Sequence, residues 1–419
     1  MRFNKLNEWL NWQQQLHPHT IELGLERVGE VASRMGLSQP QHCIITVAGT
    51  NGKGSCVAML ESILTKAGYR VGSYTSPHLL RYNERVRLAR ETVSDEALCR
   101  AFECIDAARD SITLSYFEFG TLAAMHIFAQ SHLDVAILEV GLGGRLDAVN
   151  LQDPNCALIT SIDLDHTEWL GTDREAIGLE KAGIIRAQTP VVCGDPDPPA
   201  SIGRRSAAVG AELYQLGRDF GYTREGETWD WYAARLCYRK LPLPGLRGEV
   251  QLQNASTALM GLSLLKNRLP VGGECIRGGL QKVALAGRFQ RLPGPVEIIV
   301  DVAHNPAGVK ALASMLRATP TTGRTFGVFA VLADKDATRM VEAIEDLIDY
   351  WCLAANHSDR ALPVNQLQAL LARRIDKRIT CFKSVAQAYQ AACRMTRGAD
   401  RIVVFGSAFT VAEVLALHV

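Results

Sequence analysis

The stretch Val47-Ala48-Gly49-Thr50-Asn51-Gly52-Lys53-Gly54-Ser55 places a lysine and a hydroxyl inside a glycine-rich turn. Such a turn offers a row of backbone N–H groups to an anion; Lys53 adds a point charge and Ser55 a hydroxyl suited to magnesium. The spacing is irregular. A usual phosphate loop has glycine where Val47 stands and a hydroxyl directly after the lysine, where this chain has Gly54. On these residues alone a nucleotide cradle and an ordinary glycine-rich βα turn both remain open. Glu139 closes the apolar run 134–138, and a carboxylate there is costly to bury without a partner, so it reads as a metal ligand ahead of a solvated strand end. Asp163-Leu164-Asp165-His166-Thr167 crowns the next apolar run, 157–162. Beside a phosphate loop, His166 becomes a candidate magnesium or water ligand, although oxygen donors suit that ion better than imidazole. Lys181, in Glu180-Lys181-Ala182-Gly183-Ile184, reads from its position alone as part of a solvated helix face.

These groups need elements to hold them. Residues 43–47 are β-branched and apolar, and Cys56, Val57, Met59, Leu60, Ile63 and Leu64 recur at helical spacing, which predicts strand, loop and helix in turn. A second strand is expected at 69–74, ended by Thr75-Ser76-Pro77-His78-Leu79. The charge-rich 81–87 reads as a surface loop or edge hairpin. Helices are expected at 95–108, 119–130 and 173–186, and strands at 134–139, 157–162 and 190–194. Ligands of open α/β sheets lie beyond the carboxyl ends of strands, so Lys53 and Glu139 can converge there. Ahead of this unit, 9–35 predicts two helices around His17-Pro18-His19, whose histidines lack a nearby carboxylate and read as solvent-exposed. The segment 213–244 carries Tyr222, Trp229, Trp231, Tyr232 and Tyr238 in short alternating runs, which predicts hairpins added to the sheet, with the tryptophans in the core. Asn254, near the start of a helix at 251–266, reads as a cap or a nucleobase contact. The Gly/Pro-rich 286–295 marks a domain boundary. Beyond it, strands at 296–300, 325–331, 350–354, 379–382 and 401–405 alternate with helices as a second doubly wound α/β domain.

At 419 residues the chain exceeds one typical core, so two or three domains and an interdomain cleft are expected. A formal net charge of +1 and the absence of any Lys/Arg run argue against a nucleic-acid partner. The first ten residues lack the apolar core of a signal peptide, and no apolar run is long enough to cross a bilayer. Eleven cysteines without a C-x-x-C pair point to reduced thiols in a cytoplasmic protein, and against structural zinc.

As a set, 48–55, Thr75-Ser76-Pro77-His78-Leu79, Leu138-Glu139-Val140-Gly141-Leu142-Gly143-Gly144-Arg145-Leu146-Asp147, Leu164-Asp165-His166-Thr167, Glu180-Lys181-Ala182-Gly183-Ile184, Gly287-Arg288-Phe289-Gln290 and Asp301-Val302-Ala303-His304-Asn305-Pro306 resemble the folylpolyglutamate synthase family, a relative of the Mur ligases. Glu22-Leu23-Gly24-Leu25 and Tyr116-Phe117-Glu118 resemble its bacterial branch that also has dihydrofolate synthase activity. The irregular phosphate loop is that family's form; Val302 departs from the glycine common at its position. The resemblance implies an α/β protein: a P-loop, Mur-ligase-like ATPase and pterin-binding domain on a mostly parallel sheet (1–286), and a smaller Rossmann-like domain (287–419) contributing to ATP and glutamate binding. It implies an ADP-forming ligase that joins L-glutamate to dihydropteroate and to folates through an acyl phosphate, with small-molecule substrates only, as a monomer. Alternatives are the folylpolyglutamate activity alone, a Mur-type ligase acting on a peptidoglycan precursor, or a nucleotide-binding switch without ligase chemistry.

The same resemblance assigns roles by position. Thr50, Asn51, Gly52, Lys53, Gly54 and Ser55 would hold ATP phosphates, with Asn254, Arg288 and Asp301 completing the nucleotide site. Ser55 and Ser76 would serve one magnesium ion and Glu139 and His166 a second, with room for a monovalent cation. Lys181 matches a lysine that carbon dioxide carbamylates, and His304 falls near the reacting groups. Pterin binding would fall to Glu22, Leu23, Gly24 and Leu25, to Ser115, Tyr116, Phe117 and Glu118, and to Leu146, Asp147 and Ala148. Phe117 is the expected stacking ring, although it also reads as core, and Asp147 the acceptor for ring nitrogens.

Overall fold

The strand that feeds the phosphate loop, β1 (Cys43–Ala48), is buried at every position. In the computed structural model, which describes residues 2–19, 21–234, 236–372 and 378–419, it lies at the middle of the first of three sheets. That sheet also contains β2 (Val71–Tyr74), β3 (Val86–Leu88), β4 (Glu91–Thr92), β5 (Val135–Glu139), β6 (Cys156–Ile159), β7 (Val191–Cys193) and β8 (Leu213–Gln215), in the order β4-β3-β2-β5-β1-β6-β7-β8. Its six strands from β2 to β8 run parallel; β3 and β4 turn back at one edge. Buried on both faces, the central strands are continuous apolar runs, as parallel strands covered by helices must be. One face packs on the helices Asp95–Arg109 and Tyr116–Gln130, the other on Lys53–Lys66 and Glu249–Leu264.

Several expectations change here. The aromatic hairpins do not extend the first sheet. Only β8 joins its edge, and β9 (Phe220–Glu225), β10 (Thr228–Ala233) and β11 (Leu236–Pro242) form a separate antiparallel sheet. Trp229 and Trp231, fully buried, point from one face of β10 onto the helix Glu249–Leu264, where the Trp231 indole N–H donates to Ser256 O at 3.2 Å. Burying that face matters more than edge pairing. Of the two readings of 81–87, the edge hairpin holds and the surface loop does not: a 3-10 turn, Tyr82–Arg85, leads into β3, which pairs antiparallel with β4 at the sheet edge, and Tyr82, Asn83 and Arg85 are buried. His17 is also not solvent-exposed. Its side chain is 6% exposed, with Nε2 2.6 Å from Glu22 and Nδ1 2.9 Å from Thr113 Oγ1, a carboxylate partner supplied by the fold of 17–22; His19 is exposed.

The third sheet holds β12 (Gln290–Leu292), β13 (Glu297–Val300), β14 (Thr325–Phe329), β15 (Tyr350–Leu353), β16 (Arg378–Cys381) and β17 (Arg401–Phe405), ordered β12-β13-β17-β14-β15-β16. Every pairing is parallel except that of β12, which the Gly/Pro-rich stretch hid from pattern reading. Two apolar clusters cover its faces, separate from the two that sandwich the first sheet. Among the described residues no helix is long and apolar enough to cross a membrane, and all eleven cysteines are free thiols.

Candidate active site

The loop after β1 is moulded by what it touches. Gly49 has φ 148°, and a Cβ there would meet Thr160 Oγ1 at 1.8 Å; Gly52 has φ 88°, and its Cβ would meet Asn254 Oδ1 at 2.3 Å. Only glycine fits either place. The end of β6 pins the loop: Thr50 N–H donates to Ser161 O at 2.7 Å, and Thr160 Oγ1 donates to Asn51 O at 2.7 Å. Lys53 opens the helix Lys53–Lys66 and folds back, its Nζ donating to Gly49 O at 2.9 Å and Thr50 O at 3.2 Å. Burial lowers its pKa, against the pull of Glu139 and Asp165.

Parallel register sets Val47 beside Glu139, so the carboxylate stands next to the loop at the carboxyl end of β5. Glu139 is 5% exposed and accepts the Ser76 N–H at 3.2 Å; among the described residues it forms no ion pair. Burial raises its pKa, with Lys53 opposing. A buried carboxylate with so few partners, beside the hydroxyls of Ser55 and Ser76, is a donor set that a hard divalent cation satisfies. No cluster of three or more His, Cys, Asp or Glu forms a metal site among the described residues, so backbone-anchored hydroxyls and phosphate oxygens would have to complete one.

Lys181 corrects its sequence reading. It ends the helix Arg174–Lys181 with 3% exposure, and its Nζ donates to Gly49 O at 3.1 Å, under the phosphate loop. Burial, reinforced by the Lys53 charge, lowers its pKa to about 7. An amine held near neutrality is a nucleophile at physiological pH. His166 sits in a left-handed turn (φ 50°) beyond β6, its pKa lowered to about 4 by burial and, despite Asp165, by Lys335.

The third sheet closes the cleft. Asp301 follows β13, and its two oxygens accept Phe289 N–H and Ala303 N–H, each at 2.8 Å, fixing the turn that carries Arg288. Asn305 caps the helix Pro306–Ala318 and trades side-chain hydrogen bonds with Asn51, at 3.0 and 3.2 Å. A cleft of about 370 Å³ is lined by the loop residues Thr50 to Ser55 and by Ser76, Glu139, His166, Lys181, Asn254, Arg288, Asp301 and His304. Asn254 lies on the second turn of Glu249–Leu264, so it is no cap.

The remaining site candidates gather beside this cleft. The Phe117 ring lies against Gly141, a cleft residue, whose added Cβ would sit 2.6 Å from it and 3.3 Å from Asp147 Oδ2. Asp147 accepts Leu142 N–H at 2.8 Å and Val149 N–H at 2.9 Å, yet burial raises its pKa to about 6. Gly24 N–H donates to Leu146 O at 3.3 Å, joining two of the three segments; Leu23 and Leu25 flank it, half-buried, and Ala148 is buried. Ser115 and Glu118 spend their polar atoms on the capping box of Tyr116–Gln130, and Arg27 links Glu118 to Glu22. Pattern reading gave no role to Asp165, Asn305 or Lys335. Lys335 stands between Asp334 and Asp336 just past an expected strand, the same polar crown that drew attention to His166.

Comparison with known proteins agrees with this layout. Residues 47–208 match the Mur ligase middle domain and 287–408 the Mur ligase, glutamate ligase domain. The dihydrofolate synthase/folylpolyglutamate synthase of Escherichia coli K12 is 43% identical over 410 residues, covering 98% of this chain and 94% of its own length. The structure of E. coli FolC in complex with DHPP and ADP superposes with a TM-score of 0.94 at 42% identity, over 99% of this chain and 97% of that one. A bifunctional folylpolyglutamate synthase/dihydrofolate synthase with Mn, AMPPNP and L-glutamate bound matches at TM-score 0.92 and 43% identity, over 99% and 98%.

Proposed function

The chain belongs to the dihydrofolate synthase/folylpolyglutamate synthase family, and from that premise we propose that it is an ADP-forming ligase joining L-glutamate to dihydropteroate and to folates. One observation carries the reading: half-buried Lys53 of the phosphate loop, Glu139 of β5, and Arg288, Asp301 and His304 from the unit of the third sheet face one cleft. We also propose the domain division at 286/287, which the separate apolar cores on each side support.

A carboxylate is a poor acylating agent until one oxygen becomes a phosphate. The substrate carboxylate attacks the γ-phosphorus and ADP leaves; the glutamate amine then attacks the acyl carbon, loses a proton and expels phosphate. Both steps need positioning and charge neutralisation more than a protein nucleophile. Lys53 and the N–H groups of Asn51 to Ser55 orient the phosphates, with Thr50 anchoring the loop, Asn254, Arg288 and Asp301 the nucleoside, and Phe117 and Asp147 the pterin. Ser55, Ser76, Glu139 and His166 would hold magnesium, which when bound neutralises phosphate charge. Lys181 as a carbamate would add an anion beside that metal set, and a monovalent cation would have to share it. Buried thiols at Cys43, Cys156 and Cys193 support a cytoplasmic setting, and a monomer is proposed.

The deciding assay is ADP release with ATP, dihydropteroate and L-glutamate. Glutamate-dependent turnover is expected; none with that pair sinks the dihydrofolate synthase activity, and turnover with folates alone leaves only the folylpolyglutamate activity.

A further inference from the structure

Asp165, a carboxylate of the first sheet's crown, is met by groups that follow strands of the third sheet. It follows β6, its side chain is 7% exposed, and three groups from beyond residue 300 converge on it. Lys335 Nζ donates to Oδ1 at 2.6 Å; Asn305 Nδ2 donates to Oδ2 at 3.0 Å; His304 Nε2 lies 3.3 Å from Oδ2. Lys335 is itself 5% exposed. A buried lysine, a buried carboxylate and two further donors form a network, to which Asp334 adds a second carboxylate 3.2 Å from Lys335 Nζ; losing Lys335 leaves Asp165 without its nearest cation. His304 is held at both ends. Its Nδ1 lies 2.9 Å from Val302 O and its Nε2 faces the carboxylate, so both ring nitrogens meet oxygen atoms. Asn305 ties the same knot to the phosphate loop through Asn51.

We propose that Asp165 is a positioning residue for the ligation step: it fixes His304, which lines the cleft, and Lys335 of the C-terminal domain beside the phosphate loop, so that the cleft takes its working shape only in this juxtaposition of the two sheets. The proposal rests on the ligase reading for its kinetic arm and on geometry alone for its spectroscopic arm. Lys335 also approaches His166 Nε2 at 3.4 Å, which places the fixed charge beside the metal-ligand candidates. A carboxylate that touches no reacting atom but sets the orientation of a cleft histidine and of the lysine behind it acts on kcat more than on nucleotide capture, because the phosphate loop stays intact without it.

The test uses full-length Asp165→Asn, Lys335→Met and the double variant. Each single change is expected to lower kcat for glutamate-dependent ADP release by about 10- to 100-fold, with a far smaller loss of AMPPNP affinity by calorimetry. The double variant is expected to lose little more than either single one. In nitrogen-15 spectra the His304 Nε2 signal is expected to shift in Asp165→Asn relative to the wild type, because its carboxylate neighbour is gone. Near wild-type kcat in a folded Asp165→Asn protein, losses that multiply in the double variant, or an unchanged His304 Nε2 signal each overturn the proposal. If Asp165→Asn does not fold, Lys335→Met carries the same expectation, and full activity there overturns it equally. A wild-type protein without ligase turnover defeats the ligase reading, while the imidazole spectra still decide whether Asp165 holds His304.

Discussion

Lys181 shows how burial remakes a side chain. Its ordinary pKa is 10.5, and under the phosphate loop it is about 7. Between those values the unfolded chain holds the proton and the folded protein does not, so this group's contribution to stability rises with pH across that window and is most unfavourable below pH 7. In carbon-dioxide-free buffer, Lys181→Met is therefore expected to melt above the wild type near pH 7, with the gap closing toward pH 10; thermal unfolding across that range checks it. The same shift makes the free amine available to carbon dioxide. Activity is expected to fall after bicarbonate is stripped, to recover when it is restored, and to be lost in Lys181→Met. For Lys53, whose Nζ donates to two loop carbonyls, alanine is expected to cost turnover by about 100-fold or more. Full ligase activity in Lys53→Ala refutes the cradle.

At the scale of elements, the loop tolerates no side chain where its backbone turns. Gly49→Ala brings a Cβ onto Thr160 and Gly52→Ala brings one onto Asn254, both at positive φ, so each is expected to destabilise by roughly 1–3 kcal/mol and to weaken nucleotide binding. Urea unfolding together with AMPPNP titration measures both. Strands and helices that the site depends on were legible because parallel strands covered on both faces are unbroken apolar runs: β1, β5 and β6 fall within the expected segments, apart from Ala48 and Cys156 at their ends. What resisted was long-range. A lysine at the end of an eight-residue helix looks solvated until the helix is known to end beneath Gly49. His17 looked unpaired because its carboxylate, Glu22, is brought to it only by the turn between. The separate sheet β9–β11 was misplaced because alternation reveals a strand but not its neighbours. Asp165, Asn305 and Lys335 each lack meaning until the two sheets meet.

On the scale of the whole molecule, two sheets with their own cores share one cleft, so nucleotide binding should act as glue between them. Calorimetry without ligand is expected to show two unfolding transitions, and AMPPNP at about 100 times its Kd to add about 2.7 kcal/mol and draw them together. Transitions that stay apart with ligand bound count against a nucleotide shared across the cleft. The strand order carries a further consequence, for synthesis. β1 leaves the ribosome early, yet its neighbours are β5 and β6, paired through Val135 and Cys156. Until those strands are translated, a nascent chain holds an apolar strand and a glycine loop with nothing on either side, a slow, non-local pairing of the kind that exposes sticky surface. A ribosome paused before residue 156 would thus display the phosphate loop without its mould, and one paused before 301 would display it without its counter-charge. The chain becomes able to hold ATP only once residues of both sheets have been translated.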